Sequence, residues 1–298
     1  MKIKLVLFFW MISGPLMAQI KVVSEWDSNQ NLNLIAYSQE NIPYIIRLAF
    51  FDLENLESKD GDLVYAVAKK GKTQLIQFTK IYENEETRFR YDSKLYKGTF
   101  VSQDKVQYLI PLKEGHTCDI KPLVAAKSSQ TNGREANEYA GVGFYFTSPT
   151  VICSPRKGVV TDLKMDIEVS EDNIEFTDKE NFIEIFHEDG TFTRLSVLQP
   201  GSQKVNIGDP VLSGQELAIS EGENYQKGRH VKMIQSGWKL EHGEITWINF
   251  PVELVAEQKE LISNVEVQGV SVIHPLENIT SEMTKKESKK YLKERTVN

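Results

Sequence analysis

Five histidines (His116, His187, His230, His242 and His274) and two cysteines (Cys118 and Cys153) are the residues of this chain best suited to hold a metal or attack a bond. Zinc hydrolysis needs three protein donors around one ion and an open fourth position, where bound water ionises near neutral pH. The spacing supplies no such set directly. No histidine lies between His116 and His187, and His116, His242 and His274 are scattered beside turns or Pro275. Asp119, Glu138 or Asp162 could join His230, but at no interval typical of a metal motif. Cys153 follows Val151 and Ile152 in an apolar run, which suits a structural thiol better than a nucleophile. Cys118 and Cys153 are either bridged or two buried thiols, because pairing depends on Cα geometry. Gly141-Val142-Gly143 is a fragment of a phosphate-loop pattern that opens no helix. What remains is His230, as a contributor to a binding groove.

The elements that position these residues read as strands. Leu32-x-Leu34-x-Ala36, Tyr44-x-Ile46-x-Leu48 and Leu63-x-Tyr65-x-Val67 alternate with period two between polar turns, the pattern of a β-sandwich over residues 19–125. Residues 126–138, AKSSQTNGREANE, read as a linker. A second domain follows over 139–255, interrupted by an acidic insertion at 166–180 that reads as a surface loop. Residues 256–298 are less periodic and end in KKESKKYLKERTVN, a C-terminal tail expected to be partly disordered or helical.

The richest stretch is 181–220. Ile183, Ile185 and His187 recur at every second position up to a turn at Glu188-Asp189-Gly190. Leu195 to Leu198, Pro200-Gly201, Val205-x-x-Gly208-Asp209-x-Val211-x-x-Gly214-Gln215 and Leu217-Ala218-Ile219 follow, with a glycine wherever a short strand must reverse. This order closely resembles the β-sheet core of LytM/lysostaphin-type zinc metallopeptidases, which cut peptide cross-links of bacterial cell walls. Ser154-Pro155-x-x-Gly158-Val159-Val160 resembles the family's Gly-Val-Val hairpin. The resemblance implies an all-β protein, an N-terminal β-sandwich followed by a LytM-type metallopeptidase β-sheet core. It also implies where zinc should bind. The family's His-x-Gly-x-Asp falls on Tyr139 to Gly143, so Tyr139 stands for the His and Gly143 for the Asp. Its Tyr-x-His-Leu falls on Leu195 to Leu198, so Val197 stands for a catalytic His. Its Gly-Pro-His-Leu-His falls on Gly228 to Lys232, so Arg229 replaces the Pro, His230 is kept, and Lys232 replaces the ligand. A lysine ammonium there opposes a divalent cation.

No cofactor is therefore expected, and Tyr139, Gly143, Val197, Arg229, His230 and Lys232 are expected to line a groove that binds without cutting. The resemblance implies a non-catalytic protein that binds peptidoglycan or regulates a cell-wall hydrolase; the competing expectation is an active zinc endopeptidase with unconventional ligands. Residues 1–18 have a basic start, an apolar run and a small-residue end at Leu16-Met17-Ala18, the order of a cleaved secretory signal. The chain is thus expected to be exported, periplasmic or secreted, with no membrane-spanning segment after cleavage. A formal charge of −7 and no basic aromatic-interleaved patch argue against nucleic acid as a partner.

Overall fold

The computed structural model describes residues 20–102, 105–124, 139–169, 173–175, 177, 179–257 and 261–297. They divide into two compact units, one up to Leu95 and one from Tyr96 onward. The expected signal (1–18) and linker (126–138) lie outside the described residues. Strands dominate both units, and the fold class is all-β.

The first unit contains β1 (Ile20–Trp26), β2 (Leu32–Ser38), β3 (Tyr44–Glu54), β4 (Leu56–Glu57), β5 (Leu63–Ala68), β6 (Gly71–Lys80) and β7 (Arg88–Lys97), the last running on into the second. They form two sheets, ordered β1-β2-β6-β4 and β5-β3-β7. Alternation puts Leu32, Leu34 and Ala36 of the first sheet into one core with Ile46, Leu48 and Phe50 of the second. Phe50 meets Phe78 edge to face at 5.0 Å. Each fully buried Leu, Ile or Phe contributes roughly 1.5–3 kcal/mol, which is what holds the two layers face to face.

The second unit contains β8 (Tyr108–Leu109), β9 (Thr117–Val124), β10 (Tyr139–Tyr145), β11 (Val151–Cys153), β12 (Gly158–Lys164), β13 (Phe182–Phe186), β14 (Thr191–Ser196), β15 (Pro210–Val211), β16 (Glu216–Ile219), β17 (His230–Glu241), β18 (Glu244–Asn249), β19 (Glu253–Val255), β20 (Leu261–Ile262) and β21 (Val267–Ser271). Its main sheet runs β15-β12-β13-β14-β17-β10-β9-β21, with β18 added to β17. One face carries Val142, Phe144, Ile183, Ile185, Leu195, Val231 and Met233 into the core. The intervening residues of β10, β14 and β17 must then point to the other face, where the site lies. The β13–β14 hairpin turns where the glycine pattern predicts. Gly190 has φ +87°, and a Cβ there would come within 2.4 Å of the Phe100 carbonyl oxygen, so both conformation and space demand glycine.

Two features differ from the sequence expectation. The units divide upstream of 125, because β9 pairs with β10 in one sheet and carries residues 117–124 into the second unit. Nor do the described residues from 261 onward stand apart as a tail. β21 pairs with β9, α1 (Leu276–Thr280) buries Ile279, and α2 (Lys285–Val297) packs Tyr291 beside Leu109, Val255 and Ile279. The β21 register shifts between Val267 and Val270, which breaks the alternation that would have revealed the strand.

A charge network fixes this segment. Arg156 is 1% exposed, and its guanidinium donates to both carboxylate oxygens of Glu282, from Nη2 at 2.5 Å and Nε at 3.1 Å. Nη1 donates to Asp189 Oδ2 at 2.7 Å and to the Tyr108 hydroxyl at 2.9 Å. Next to it Lys157 Nζ donates to Glu287 Oε2 at 2.7 Å. A bidentate guanidinium–carboxylate pair is geometrically selective, so it locks α1 and α2 in one position.

Candidate functional site

Cross-strand register assembles the site. Lys232 of β17 lies opposite Gly143 of β10 on one side and Ser196 of β14 on the other, so the three form a row across the sheet. Tyr145 lies opposite His230 in the neighbouring row. Glu180, just ahead of β13, closes over the first row. Lys232 Nζ donates to Glu180 Oε1 at 2.5 Å, Ser196 Oγ to Oε2 at 2.8 Å, and the Tyr225 hydroxyl to Oε1 at 3.1 Å. The Lys232 and Glu180 side chains are only 18% and 11% exposed, so each is the other's necessary counter-charge. Burial, and then the Glu180 carboxylate, push the Tyr225 hydroxyl up, keeping it a hydrogen-bond donor.

His230 stands between two rings, stacked on Tyr145 at 5.1 Å and edge-on to Tyr225 at 4.9 Å. Its Nδ1 lies 2.8 Å from the Gly228 carbonyl oxygen, so that nitrogen carries the proton. Burial, reinforced by the Lys232 charge, lowers the pKa of the ring and favours its neutral form. Ala140, Tyr145, Glu180, Ser196, Tyr225, His230 and Lys232 line a cavity of about 670 Å³, with Arg194, Lys227 and Ile234 at its borders.

Of the six residues expected to line the groove, Gly143, His230 and Lys232 come together. The other three are directed elsewhere. A register shift between Tyr139 and Gly141 puts Ala140 against the cavity in place of Tyr139, whose hydroxyl bonds Ser263 Oγ at 2.7 Å. Val197 is 3% exposed with φ +69°, and Ser196 faces the cavity instead. Arg229 forms an ion pair with Glu223. The missing piece is Glu180, which lies within the acidic insertion. Its only sequence signal is that a buried lysine at a ligand position must find a carboxylate.

These residues do not fit zinc. At the three ligand positions stand a phenol aimed at Ser263, a glycine with no donor, and an ammonium held by a carboxylate. Among the described residues no group of three His, Cys, Asp or Glu side chains could hold a metal ion.

The remaining candidates are structural. Cys118 and Cys153 are free, buried thiols, each pushed up to about 12 by burial, which keeps them protonated and unreactive. His274 places Nε2 3.1 Å from the Ile110 carbonyl oxygen. His187 is fully buried, with Nδ1 2.8 Å from the Lys157 carbonyl oxygen and Nε2 2.7 Å from Thr193 Oγ1. Burial, then the nearby Arg156 charge, lowers its pKa to about 4. A base depressed in the folded state binds its proton first in the unfolded chain, so its contribution is whole above about pH 6.5 and fades as pH falls towards 4. We expect wild-type stability to drop between those pH values by on the order of 3 kcal/mol from this residue. His187→Gln should flatten the plot of urea midpoint against pH; an unchanged slope would assign the acid sensitivity to other groups.

No family model matches the sequence, and no curated protein matches it. Among solved structures, the catalytic domain of the antimicrobial peptidase lysostaphin from Staphylococcus simulans is similar at 14% identity, over 47% of this chain and 87% of that one, with a TM-score of 0.27. A chain of the SpoIIQ–SpoIIIAH pore forming complex is similar at 16% identity, over 48% of this chain and 89% of that one, with a TM-score of 0.32. Csd3 of Helicobacter pylori is similar at 10% identity, over 92% of this chain and 83% of that one, with a TM-score of 0.31. At the three positions where the sequence resemblance places zinc ligands stand Tyr139, Gly143 and Lys232. Among the described residues no helix is long and apolar enough to cross a membrane.

Proposed function

We propose that this is an exported, non-catalytic protein whose second-unit groove binds an extended peptide, either of peptidoglycan or of a cell-wall hydrolase that it regulates. The observation that carries this reading is the Lys232–Glu180 ion pair, held by Ser196 and Tyr225 where the resemblance calls for zinc. The pair removes the means of hydrolysis and leaves a cavity of about 670 Å³ with aromatic walls. It also revises the expected charge. Lys232 is neutralised by Glu180 and Arg229 by Glu223, so the groove suits a peptide's mixed donors and acceptors better than a bare anion. Tyr145 and Tyr225, held against His230, add pre-organised aromatic surface at little entropic cost.

The test is retention of the purified chain on peptidoglycan sacculi, and on peptidoglycan-derived peptides by calorimetry. Tyr225→Ala, and separately Glu180→Gln with Lys232→Met, should weaken binding about tenfold or more, equivalent to about 1.4 kcal/mol, with thermal unfolding still cooperative. The double variant removes both charges at once and so leaves neither buried alone. Retention that neither variant alters would place the function outside this groove. Chelator-sensitive cleavage of the peptides would establish the zinc-enzyme reading instead.

A further inference from the structure

The helix α2 carries a surface that the groove does not use. Its sequence, KKESKKYLKERTV, places Lys285, Lys286, Lys289, Lys290 and Lys293 within an arc of about 140° at about 100° per residue. The residues that dock the helix lie roughly opposite. Glu287 bonds Lys157, and Tyr291 packs beside Leu109, Val255 and Ile279. The lysine arc is therefore turned outward, and all five lysines are exposed. Lys290 is 3.9 Å from Glu294, itself largely exposed; Lys285, Lys286, Lys289 and Lys293 form no ion pair among the described residues. Leu292 borders the arc and is 40% exposed.

We infer that this face docks the protein on a bilayer of anionic phospholipid. The arc is convex and spans about 12 Å of helix, so it offers no concavity to select a folded partner. It contains lysines only, point charges without the planar fork that reads an individual carboxylate or phosphate. A flat and diffuse negative surface suits that arrangement, and Leu292 supplies an apolar edge at headgroup depth. The chain as a whole carries a formal charge of −7. That charge opposes approach at long range, whereas screening beyond about 8–10 Å leaves the local lysines in control at contact. Binding must then be orientation-specific and lost in high salt. Each lysine near such a surface multiplies partition by about fivefold.

The experiment is co-sedimentation of the full chain with vesicles of equal parts phosphatidylglycerol and phosphatidylcholine, against vesicles of phosphatidylcholine alone. The expected result is binding to the first set only, abolished by about 0.5 M salt. Lys286→Gln, Lys289→Gln and Lys293→Gln together should lower partition roughly a hundredfold. All three face solvent away from Tyr291 and Glu287, and circular dichroism and the melting temperature serve as the folding check. Equal binding to both vesicle types, or no loss in the triple variant, would overturn the inference. So would capture by soluble polyphosphate with no preference for anionic vesicles, which would identify a polyanion as the ligand.

Discussion

Arg156→Leu is expected to cost about 3–5 kcal/mol and to release residues 276–297 from the second unit. The side chain removed is almost wholly buried, and it leaves the Asp189 and Glu282 carboxylates, 12% and 20% exposed, without their common cation. Leucine restores some of the volume but none of the charge. Loss of a buried ion's partner, rather than loss of packing, therefore dominates the effect. Chemical denaturation gives the total, and hydrogen exchange across α1 and α2 shows whether the helices detach. Replacing Arg156, Asp189 and Glu282 together by Met, Asn and Gln should recover part of the loss, since no charge is then stranded. A single variant with near-wild-type stability would show that the carboxylates re-solvate freely and that the network contributes little.

A larger change in a single property is expected from Gly143→Asp combined with Lys232→His. The native chain should show no measurable zinc affinity at this site, and the double variant should bind at micromolar Kd or tighter, about 8 kcal/mol of binding free energy. The two positions are register partners, and Glu180 already reaches the end of the Lys232 side chain, so an imidazole and two carboxylates would converge. Donor atoms must come within about 2.0–2.2 Å of the ion. A Cβ at Gly143 would lie 2.8 Å from Cε2 of Tyr145, so that ring must shift to admit the aspartate. Adding Ala140→His should tighten binding further. Tyr139→His, the choice that sequence alignment suggests, should not, because Tyr139 is directed at Ser263. Calorimetry showing no zinc binding in the double variant, or tightening by Tyr139→His instead, would show that the row is assembled differently.

The contrast between Ala140 and Tyr139 shows what was legible in the sequence. Strands and hairpins were, because period-two alternation and glycines with positive φ are local properties; Gly190 sits at its turn as read. Gly143 faces Lys232 across the sheet, a pairing that only the motif resemblance suggested beforehand. The one-residue shift between Tyr139 and Gly141 was not legible, since a bulge redirects side chains without changing composition. Glu180 and Arg156 were missed for a different reason. Their partners lie 52 and 126 positions away, and a charged residue in a polar segment reads as solvated until its counter-ion is placed. Electrostatic pairing of this range leaves no periodic trace.

The distance between Arg156 and Glu282 bears on how the molecule is made. A chain emerging from a ribosome presents Arg156 and Asp189 long before the carboxylate that binds the guanidinium bidentately. Until then the guanidinium has Asp189 and the Tyr108 hydroxyl as partners, and its Nε and Nη2 lack the carboxylate that later covers them. A product truncated before Glu282 is expected to leave the Arg156 guanidinium short of two hydrogen-bond partners and to be cleaved faster than the full chain in limited proteolysis.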